Sequence, residues 1–279
     1  MTDTPAFVST EWLAANLGAP DLVVVDASWH MPNSGRSGAA EFEAQHIPGA
    51  VHFDIDAIAD HSTALPHMLP GPHAFAQAAG ALGIGDGLRI VVYDSLGLFS
   101  APRVWWTFKV FGAQEVMILD GGLPKWLAEN LPVESGPARR APATFTARLD
   151  HSMVADINTV ERALAAGSAQ VLDARAEARF RGEAPEPREG LPSGHMPGAF
   201  NLPHGRVVDG GRLLPPEQVR SIVEATGLDL ARPVITSCGS GVSAAILWLA
   251  LESIGKRPLA LYDGSWTEWG ASGKAIAVG

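Results

Sequence analysis

Cysteine and long apolar runs are the two features that this sequence almost entirely lacks. Cys238 is the only cysteine in 279 residues, so no internal disulfide can form and a reducing cytoplasm is the expected compartment. The apolar runs are far shorter than the roughly 20 residues of a membrane helix, and the N-terminal stretch has neither the basic start nor the apolar core of a signal peptide. Thirty acidic against 20 basic residues give a net charge of −10, which argues against nucleic acid and anionic membranes as partners.

Motifs for metals and nucleotides are absent as well. The nine histidines are scattered, and no Cys/His cluster has the spacing of metal ligands, so we expect no metal site. Neither a GxxxxGK phosphate loop nor a GxGxxG motif after a strand occurs. The chain does have 47% hydrophobic and 18% charged residues, which at this length is typical of one large globular domain or two ordinary ones.

One order of motifs occurs twice along the chain. Each half has an apolar strand ending in an acid, then an HxPGA motif, and later an Asp-Gly turn followed by a tryptophan. The paired anchors are Asp26 and Asp173, His46 and His195, and Asp120 and Asp263. Their nearly constant interval of about 145 residues indicates duplicated domains rather than a solenoid. We predict domains at 1–135 and 153–279, joined by an ordered-to-flexible linker at 136–152 that carries Pro, Ala and Arg without apolar periodicity.

Apolar strands alternate with helices of about ten residues in both halves. This alternation predicts an α/β fold in which each domain is a mostly parallel sheet flanked by helices on both faces. In such sheets ligands bind at the carboxyl ends of the strands. We therefore look for the functional site where apolar strands end.

Cys238 lies between two unlike segments. Pro233–Ser237 reads as a buried strand, and a largely buried helix follows from about Val242 to Gly255. A thiol at a helix start loses its proton more easily, and the thiolate is the nucleophile. The alternative is that Cys238 is a small buried apolar residue. Two glycines in the loop after it favour a bound group, because they let the backbone close around a ligand. In the first half the matching place is Asp94 or Ser95, so one half is expected to be active and the other supporting.

These repeated motifs resemble the tandem rhodanese-domain sulfurtransferases over nearly the whole chain. The loop Cys238-Gly-Ser-Gly-Val-Ser243 is similar to the CGSGVT loop of 3-mercaptopyruvate sulfurtransferases. Thiosulfate sulfurtransferases tend to carry CRKGVT, with two cations. The difference has a physical reason, because thiosulfate is a dianion that gains from fixed cations, whereas mercaptopyruvate has one carboxylate that can be held from elsewhere.

The resemblance implies covalent chemistry without a further cofactor. Cys238 attacks the sulfur of 3-mercaptopyruvate and becomes a persulfide, and a thiol acceptor such as thioredoxin or a small thiol, or cyanide, then removes the outer sulfur. The backbone amides of the loop would stabilise the thiolate and the persulfide. The loop residues implied in substrate binding are Gly239, Gly241, Val242 and Ser243.

The resemblance also implies which side chains assist. Arg179 and Arg188 match the two arginines of the RFRG…EPEPR motif and would hold the substrate carboxylate, whereas Arg181 is expected to face solvent or pair with an acid. Ser240 and His46 could form a proton relay across the domain cleft. The acidic member of that relay is missing, because Ser37 stands where relatives carry an aspartate. His46 and its repeat mate His195 could also simply brace a turn, and we treat His195 as structural.

Three alternatives remain at this level. Within the same fold the donor could be thiosulfate, which the uncharged loop disfavours. A cysteine phosphatase would need an arginine six residues after the cysteine, and that position is Ala244. A sulfur carrier would accept sulfur on Cys238 without multiple turnover on a small donor.

Overall fold

The computed structural model describes residues 5–279, which form two compact units. Each unit contains a short segment from the other half of the chain. Unit 1 comprises the chain up to Asp60, Leu69–Asp150 and Gly210–Arg212, and unit 2 comprises His61–Met68, His151–Asp209 and Leu213–Gly279. No helix within residues 5–279 is long and apolar enough to cross a membrane.

Unit 1 is built on a five-stranded sheet in the order β1-β5-β4-β2-β3, in which every assigned strand pair is parallel. The strands are β1 (Phe7–Val8), β2 (Leu22–Asp26), β3 (Val51–His52), β4 (Arg89–Tyr93) and β5 (Val116–Leu119). The helices are α1 (Thr10–Asn16), α2 (Gly38–Ala44), α3 (Pro72–Ala81), α4 (Ala101–Val110) and α5 (Gly122–Ala128).

Alternate residues of the unit 1 strands pack on opposite faces. Val24, Val91 and Leu119 share one core with Leu13 of α1 and Trp126 of α5. On the other face α4 packs on β4 and β5, and its Phe108 meets an aromatic cluster that includes Phe75 of α3. Burial on both faces explains why these strands read as continuous apolar runs.

Unit 2 repeats the plan with the sheet order β6-β12-β11-β7-β8, again with parallel pairs. The strands of this sheet are β6 (Val154–Ala155), β7 (Gln170–Asp173), β8 (Phe200–Asn201), β11 (Val234–Ser237) and β12 (Ala260–Tyr262). A separate two-stranded sheet consists of β9 (Val208–Asp209) and β10 (Arg212–Leu213), at the boundary where the chain passes between the units. The helices are α6 (Ile157–Ala166), α7 (Glu177–Phe180), α8 (Pro216–Glu224), α9 (Ala244–Ser253) and α10 (Ser265–Ala271). The predicted fold, two α/β repeats with parallel sheets flanked by helices, is confirmed.

The predicted linker differs from the structure over most of its length. Residues up to Asp150 belong to unit 1, where the amide of Ala143 donates to the carbonyl of Gly80 (2.9 Å) and that of Arg148 to Phe111 (2.9 Å). Phe145 is buried in the aromatic cluster, with its ring 5.4 Å from that of Phe75. One buried aromatic ring and a series of backbone hydrogen bonds thus order a segment whose composition resembles that of a linker.

Candidate active site

Cys238 is the first residue after β11, at the carboxyl edge of the unit 2 sheet. β11 lies between β12 and β7 and pairs Ser237 with Asp173, so the thiol stands near the middle of this edge. The side chain is buried, with 2% of the residue exposed. Residues 239–243 then lead into α9, whose helical residues begin at Ala244. The predicted arrangement of strand, cysteine loop and helix is therefore present.

The start of α10 fixes the backbone of the cysteine loop. The amide of Cys238 donates to Ser265 Oγ (3.1 Å), and the amide of Trp266 donates to the carbonyl of Cys238 (2.9 Å). Thr267 donates to the carbonyl of Gly239 through both its amide (2.9 Å) and its hydroxyl (2.7 Å). The Asp-Gly-Ser turn, which the sequence presented only as a turn, thus holds the loop from which the thiol projects.

Within the loop, Ser240 and Val242 are buried, and Ser243 immediately precedes α9. Gly241 has a φ of +78°, a left-handed conformation that favours glycine. A Cβ built on Gly239 would lie 3.3 Å from Nη2 of Arg179. The guanidinium of Arg179 therefore lies directly over the residue that follows the thiol.

In unit 1 the loop that corresponds to the cysteine loop binds an acidic side chain through its backbone amides. Asp94 follows β4 as Cys238 follows β11, which resolves the choice between Asp94 and Ser95. Its carboxylate accepts backbone N–H bonds from Leu96 (2.9 Å), Phe99 (2.7 Å), Ser100 (2.9 Å) and Ala101 (2.8 Å). Burial raises the pKa of Asp94, and these donors oppose the rise. A loop between a strand and a helix start in this fold can therefore converge four amides on one acceptor group.

A buried ion-pair network lies behind Arg179. Glu186 accepts from Nε (3.2 Å) and Nη2 of Arg179 through one oxygen and from Arg175 Nη1 (2.8 Å) through the other. Arg175 also pairs with Asp173 (2.7 Å) and lies over the ring of Trp266 at 4.1 Å. Burial lowers the pKa of Arg175, but the two carboxylates outweigh it and leave the pKa raised.

Arg188 contacts the short segment that unit 2 takes from the N-terminal half of the chain. Its Nη2 lies 3.3 Å from Nε2 of His67, which is buried and has a φ of +60°. An arginine can only donate, so Nε2 of His67 is the acceptor in this contact. Arg181, in contrast, is about half exposed and pairs with Glu177 (2.9 Å), as expected for a surface residue.

His46 and His195 have matching surroundings in their own units. His46 places Nδ1 2.7 Å from the carbonyl of Phe42 and stacks on that ring at 4.0 Å, and its Nε2 lies 3.3 Å from Glu134. His195 places Nδ1 2.9 Å from the carbonyl of Phe180 and stacks on it at 3.9 Å. These contacts suit the bracing role left open for both. They lend no support to a relay between His46 and Ser240, which stays a prediction.

Ser37, which stands where relatives carry an aspartate, lies at the start of a helix of unit 1. It is the N-cap of α2, where its hydroxyl accepts from the amide of Ala40 (3.3 Å).

Sequence reasoning did not identify four residues around the site as functional, namely Asp173, Arg175, Glu186 and Ser265. Glu186 lies inside the motif that pointed to the arginines. An acid near an arginine in sequence does not show that the acid is buried, and this became clear only from the fold.

Chemically, the site combines one buried thiol, a loop before a helix start and a guanidinium. This set suits a nucleophile that attacks an anionic substrate. Burial lowers the pKa of the nearby His204, the hydrogen bond to the carbonyl of Ala174 opposes this shift, and the charge of Arg179 adds to it. Among residues 5–279, no group of three or more His, Cys, Asp or Glu side chains is placed to hold a metal ion.

Known proteins share this plan. Residues 9–129 and 156–272 match the rhodanese-like domain. Human 3-mercaptopyruvate sulfurtransferase is 44% identical over 271 residues, 95% of this chain and 91% of that protein. Thiosulfate sulfurtransferase of Cricetulus griseus is 42% identical over 272 residues, with 95% and 91% covered. The crystal structure of SseA, the Escherichia coli 3-mercaptopyruvate enzyme, matches with a TM-score of 0.87 and 40% identity, covering 94% of this chain and 99% of SseA.

The agreement extends along both halves and almost the whole length of these relatives. The two five-stranded sheets have the same strand order, and the single thiol follows the central strand of the second sheet. This chain belongs to the two-domain rhodanese-like sulfurtransferases.

Proposed function

We propose that this sulfurtransferase takes sulfur from 3-mercaptopyruvate, carries it as a persulfide on Cys238 and passes it to a thiol acceptor or to cyanide. The observation that carries the choice of donor is the position of Arg179. Its guanidinium lies over Gly239, while the loop itself contains no cation. One guanidinium suits one carboxylate, and the fork geometry allows two parallel hydrogen bonds.

In the first stage the thiolate of Cys238 attacks the sulfur of the substrate. The bond between that sulfur and C3 breaks, and its electron pair stays on C3 as the enolate of pyruvate, which takes up one proton. In the second stage an acceptor thiolate attacks the outer sulfur of the persulfide, and the S–S bond breaks to restore the thiolate of Cys238. Electrons balance without an external oxidant, and the amides of residues 239–243 are the proposed stabilisers of the anionic sulfur.

Arg179 and Arg188 are the proposed carboxylate and keto-oxygen ligands. Ser240 is the proposed proton carrier of the loop, because its side chain is buried two residues from the thiol. A thioredoxin or a small thiol is the proposed physiological acceptor. We also propose a cytoplasmic location, which suits a protein whose single thiol must stay reduced; cell fractionation checks this.

The deciding experiment compares 3-mercaptopyruvate and thiosulfate as donors, each with a small thiol and with cyanide, in steady state. A strong preference for 3-mercaptopyruvate supports the proposal. Thiosulfate is the second candidate, because a relative of 42% identity is a thiosulfate sulfurtransferase, and a preference for it would contradict our interpretation of the uncharged loop. Cys238→Ser must abolish transfer while leaving the folded state intact. A persulfide on Cys238 without turnover would indicate a carrier.

A further inference from the structure

Glu186 is a buried carboxylate held between two guanidinium groups. One oxygen faces Arg175 Nη1 (2.8 Å) and the other accepts from two donors of Arg179. Only 2% of the Glu186 side chain is exposed. A carboxylate this deeply buried is stable only when it is paired and hydrogen-bonded, and both conditions are met here.

The Arg175 side of this contact is rigid. Arg175 binds Asp173 through Nε (2.9 Å) and Nη2 (2.7 Å), donates to the carbonyl of Gly194 (2.8 Å) and lies over Trp266. The side chains of Arg175 and Asp173 are almost completely buried. Every edge of this guanidinium is thus fixed, so Arg175 fixes Glu186 in turn.

The Arg179 side faces the reactive loop. Arg179 is 23% exposed at its side chain, and its Nη2 reaches the open side of Gly239, next to Cys238. A free arginine side chain has many rotamers, and restricting it costs free energy when a ligand binds. Glu186 accepts from Nε and Nη2, which sets both the position and the plane of the guanidinium before a substrate arrives. Nη1 takes no part in this contact.

We infer that Glu186 is a positioning residue for substrate binding, which anchors Arg179 over the cysteine loop through the buried pair Arg175–Asp173. This inference rests on the proposed function, because it assigns Arg179 to the carboxylate of the donor. It adds a residue that never touches the substrate and acts only through Arg179.

The first test is a double-mutant cycle with 3-mercaptopyruvate and a fixed thiol acceptor. Glu186→Gln is expected to raise KM about tenfold while kcat changes less than about twofold, because a mobile guanidinium binds a carboxylate less well. Arg179→Ala raises KM as well, and the double variant is expected to match Arg179→Ala alone. The control is Glu183→Gln, an exposed acid on the same loop, which should leave KM unchanged. Additive effects, or an equal effect of the control, overturn the inference.

The second test needs no turnover. Cys238 is the only cysteine, so alkylation by anionic iodoacetate and by neutral iodoacetamide reports directly on the charge beside the thiol. If Glu186 positions Arg179, Glu186→Gln lowers the iodoacetate-to-iodoacetamide rate ratio towards that of Arg179→Ala. If Glu186 merely screens Arg179, removing its charge raises the ratio, and the inference is wrong. This arm keeps the inference testable even when the wild type does not use 3-mercaptopyruvate.

Thermal unfolding of each variant separates positioning from loss of fold. If Glu186→Gln does not fold, Glu186→Asp replaces it, because the shorter side chain keeps the charge but withdraws the carboxylate from Arg179. The same direction of change in KM and in the alkylation ratio is then expected. No change in either quantity in a folded Glu186→Asp protein overturns the inference.

Discussion

At the scale of single residues, the arginines of the proposed site differ in the partners that hold them. Arg179, Arg181 and Arg188 lie within ten residues, yet each meets a different partner. Arg179 contacts a buried carboxylate, Arg188 contacts a buried imidazole, and Arg181 contacts an exposed acid one helical turn away. Buried partners restrict rotamers and direct donors, whereas exposed ion pairs contribute little.

These surroundings predict how alanine substitutions will differ. Arg179→Ala and Arg188→Ala should each raise KM for 3-mercaptopyruvate about 5- to 150-fold. This factor corresponds to the loss of one charged hydrogen bond, which contributes roughly 1–3 kcal/mol to binding. Arg181→Ala is the matched control and should stay within about twofold of wild type. Steady-state kinetics on the three variants measure this. An unchanged KM in both Arg179→Ala and Arg188→Ala would move the carboxylate site elsewhere.

A second prediction concerns Glu41 of unit 1. The Arg36 guanidinium, opposed by partial burial and aided by His30 and Ser95, lowers the pKa of Glu41 from 4.5 to about 2. Because the pKa is lower in the folded state, ionised Glu41 stabilises the fold above pH 4.5, and this contribution disappears as the pH falls towards 2. The unfolding free energy of the wild type should therefore exceed that of Glu41→Gln at about pH 5. The two should converge on acidification, as urea melts at several pH values will show.

At the scale of elements, the loop after the central strand is used twice with different side chains. In unit 1 the loop amides bind Asp94, and in unit 2 the matching position is Cys238. The turn before the last helix also occurs in both units, with Gly122 at φ +54° and Ser265 at φ +49°. Ser265 adopts a conformation that suits glycine, and its hydroxyl accepts the amide of Cys238. The strained serine thus occurs only where the loop carries the thiol.

Substitutions at Ser265 separate the hydroxyl from the backbone conformation. Ser265→Ala should lower the unfolding free energy by about 1–3 kcal/mol, since the buried amide of Cys238 loses its acceptor, and it should lower kcat/KM. Ser265→Gly, the residue type that unit 1 uses, loses the same acceptor but relieves the backbone, so it should be more stable than Ser265→Ala by about 1 kcal/mol. Denaturant melts and kinetics check both. Equal activity of both variants and wild type would show that the hydroxyl does not position the thiol.

The strands and helices were predicted from the sequence more accurately than any other feature of the molecule. Apolar runs such as Val234–Ser237 and Leu22–Asp26 are buried on both faces, so the parallel sheets could be inferred directly. Cys238 could be placed because a β-branched run and glycines flank it. The sequence could not place Glu186, because its proposed role depends on burial beside Arg175, which is eleven residues away in sequence and in contact only after folding.

At the scale of the whole molecule, the connection at residues 136–150 behaves as part of unit 1. Phe145 buries its ring against Phe75 and Phe108. The composition of this stretch gave no sign of this, because one aromatic residue makes no periodic pattern.

Replacing that ring should release the segment. Phe145→Ala should cost about 3–5 kcal/mol of local stability, as for other buried phenylalanines, and free the backbone around Arg139, Arg140 and Arg148 to enter the active site of trypsin. Limited proteolysis should cut this variant within residues 136–150 much faster than the wild type. As a control, Leu127→Ala changes a half-exposed side chain and should leave the cleavage rate unaltered. Equal cleavage of wild type and Phe145→Ala would show that the segment is held by its backbone alone.

The exchange of short segments between the two halves has a consequence for synthesis on the ribosome. His61–Met68 is made early but belongs to unit 2, and Gly210–Arg212 is made late but belongs to unit 1. The first half can therefore form its sheet while the second is still being translated, but it stays incomplete until residue 212 has emerged. His67 can likewise form its contact with Arg188 only after the ribosome has added more than a hundred further residues. Completion of unit 1 is thus a late step of synthesis, which depends on contacts between residues far apart in the sequence.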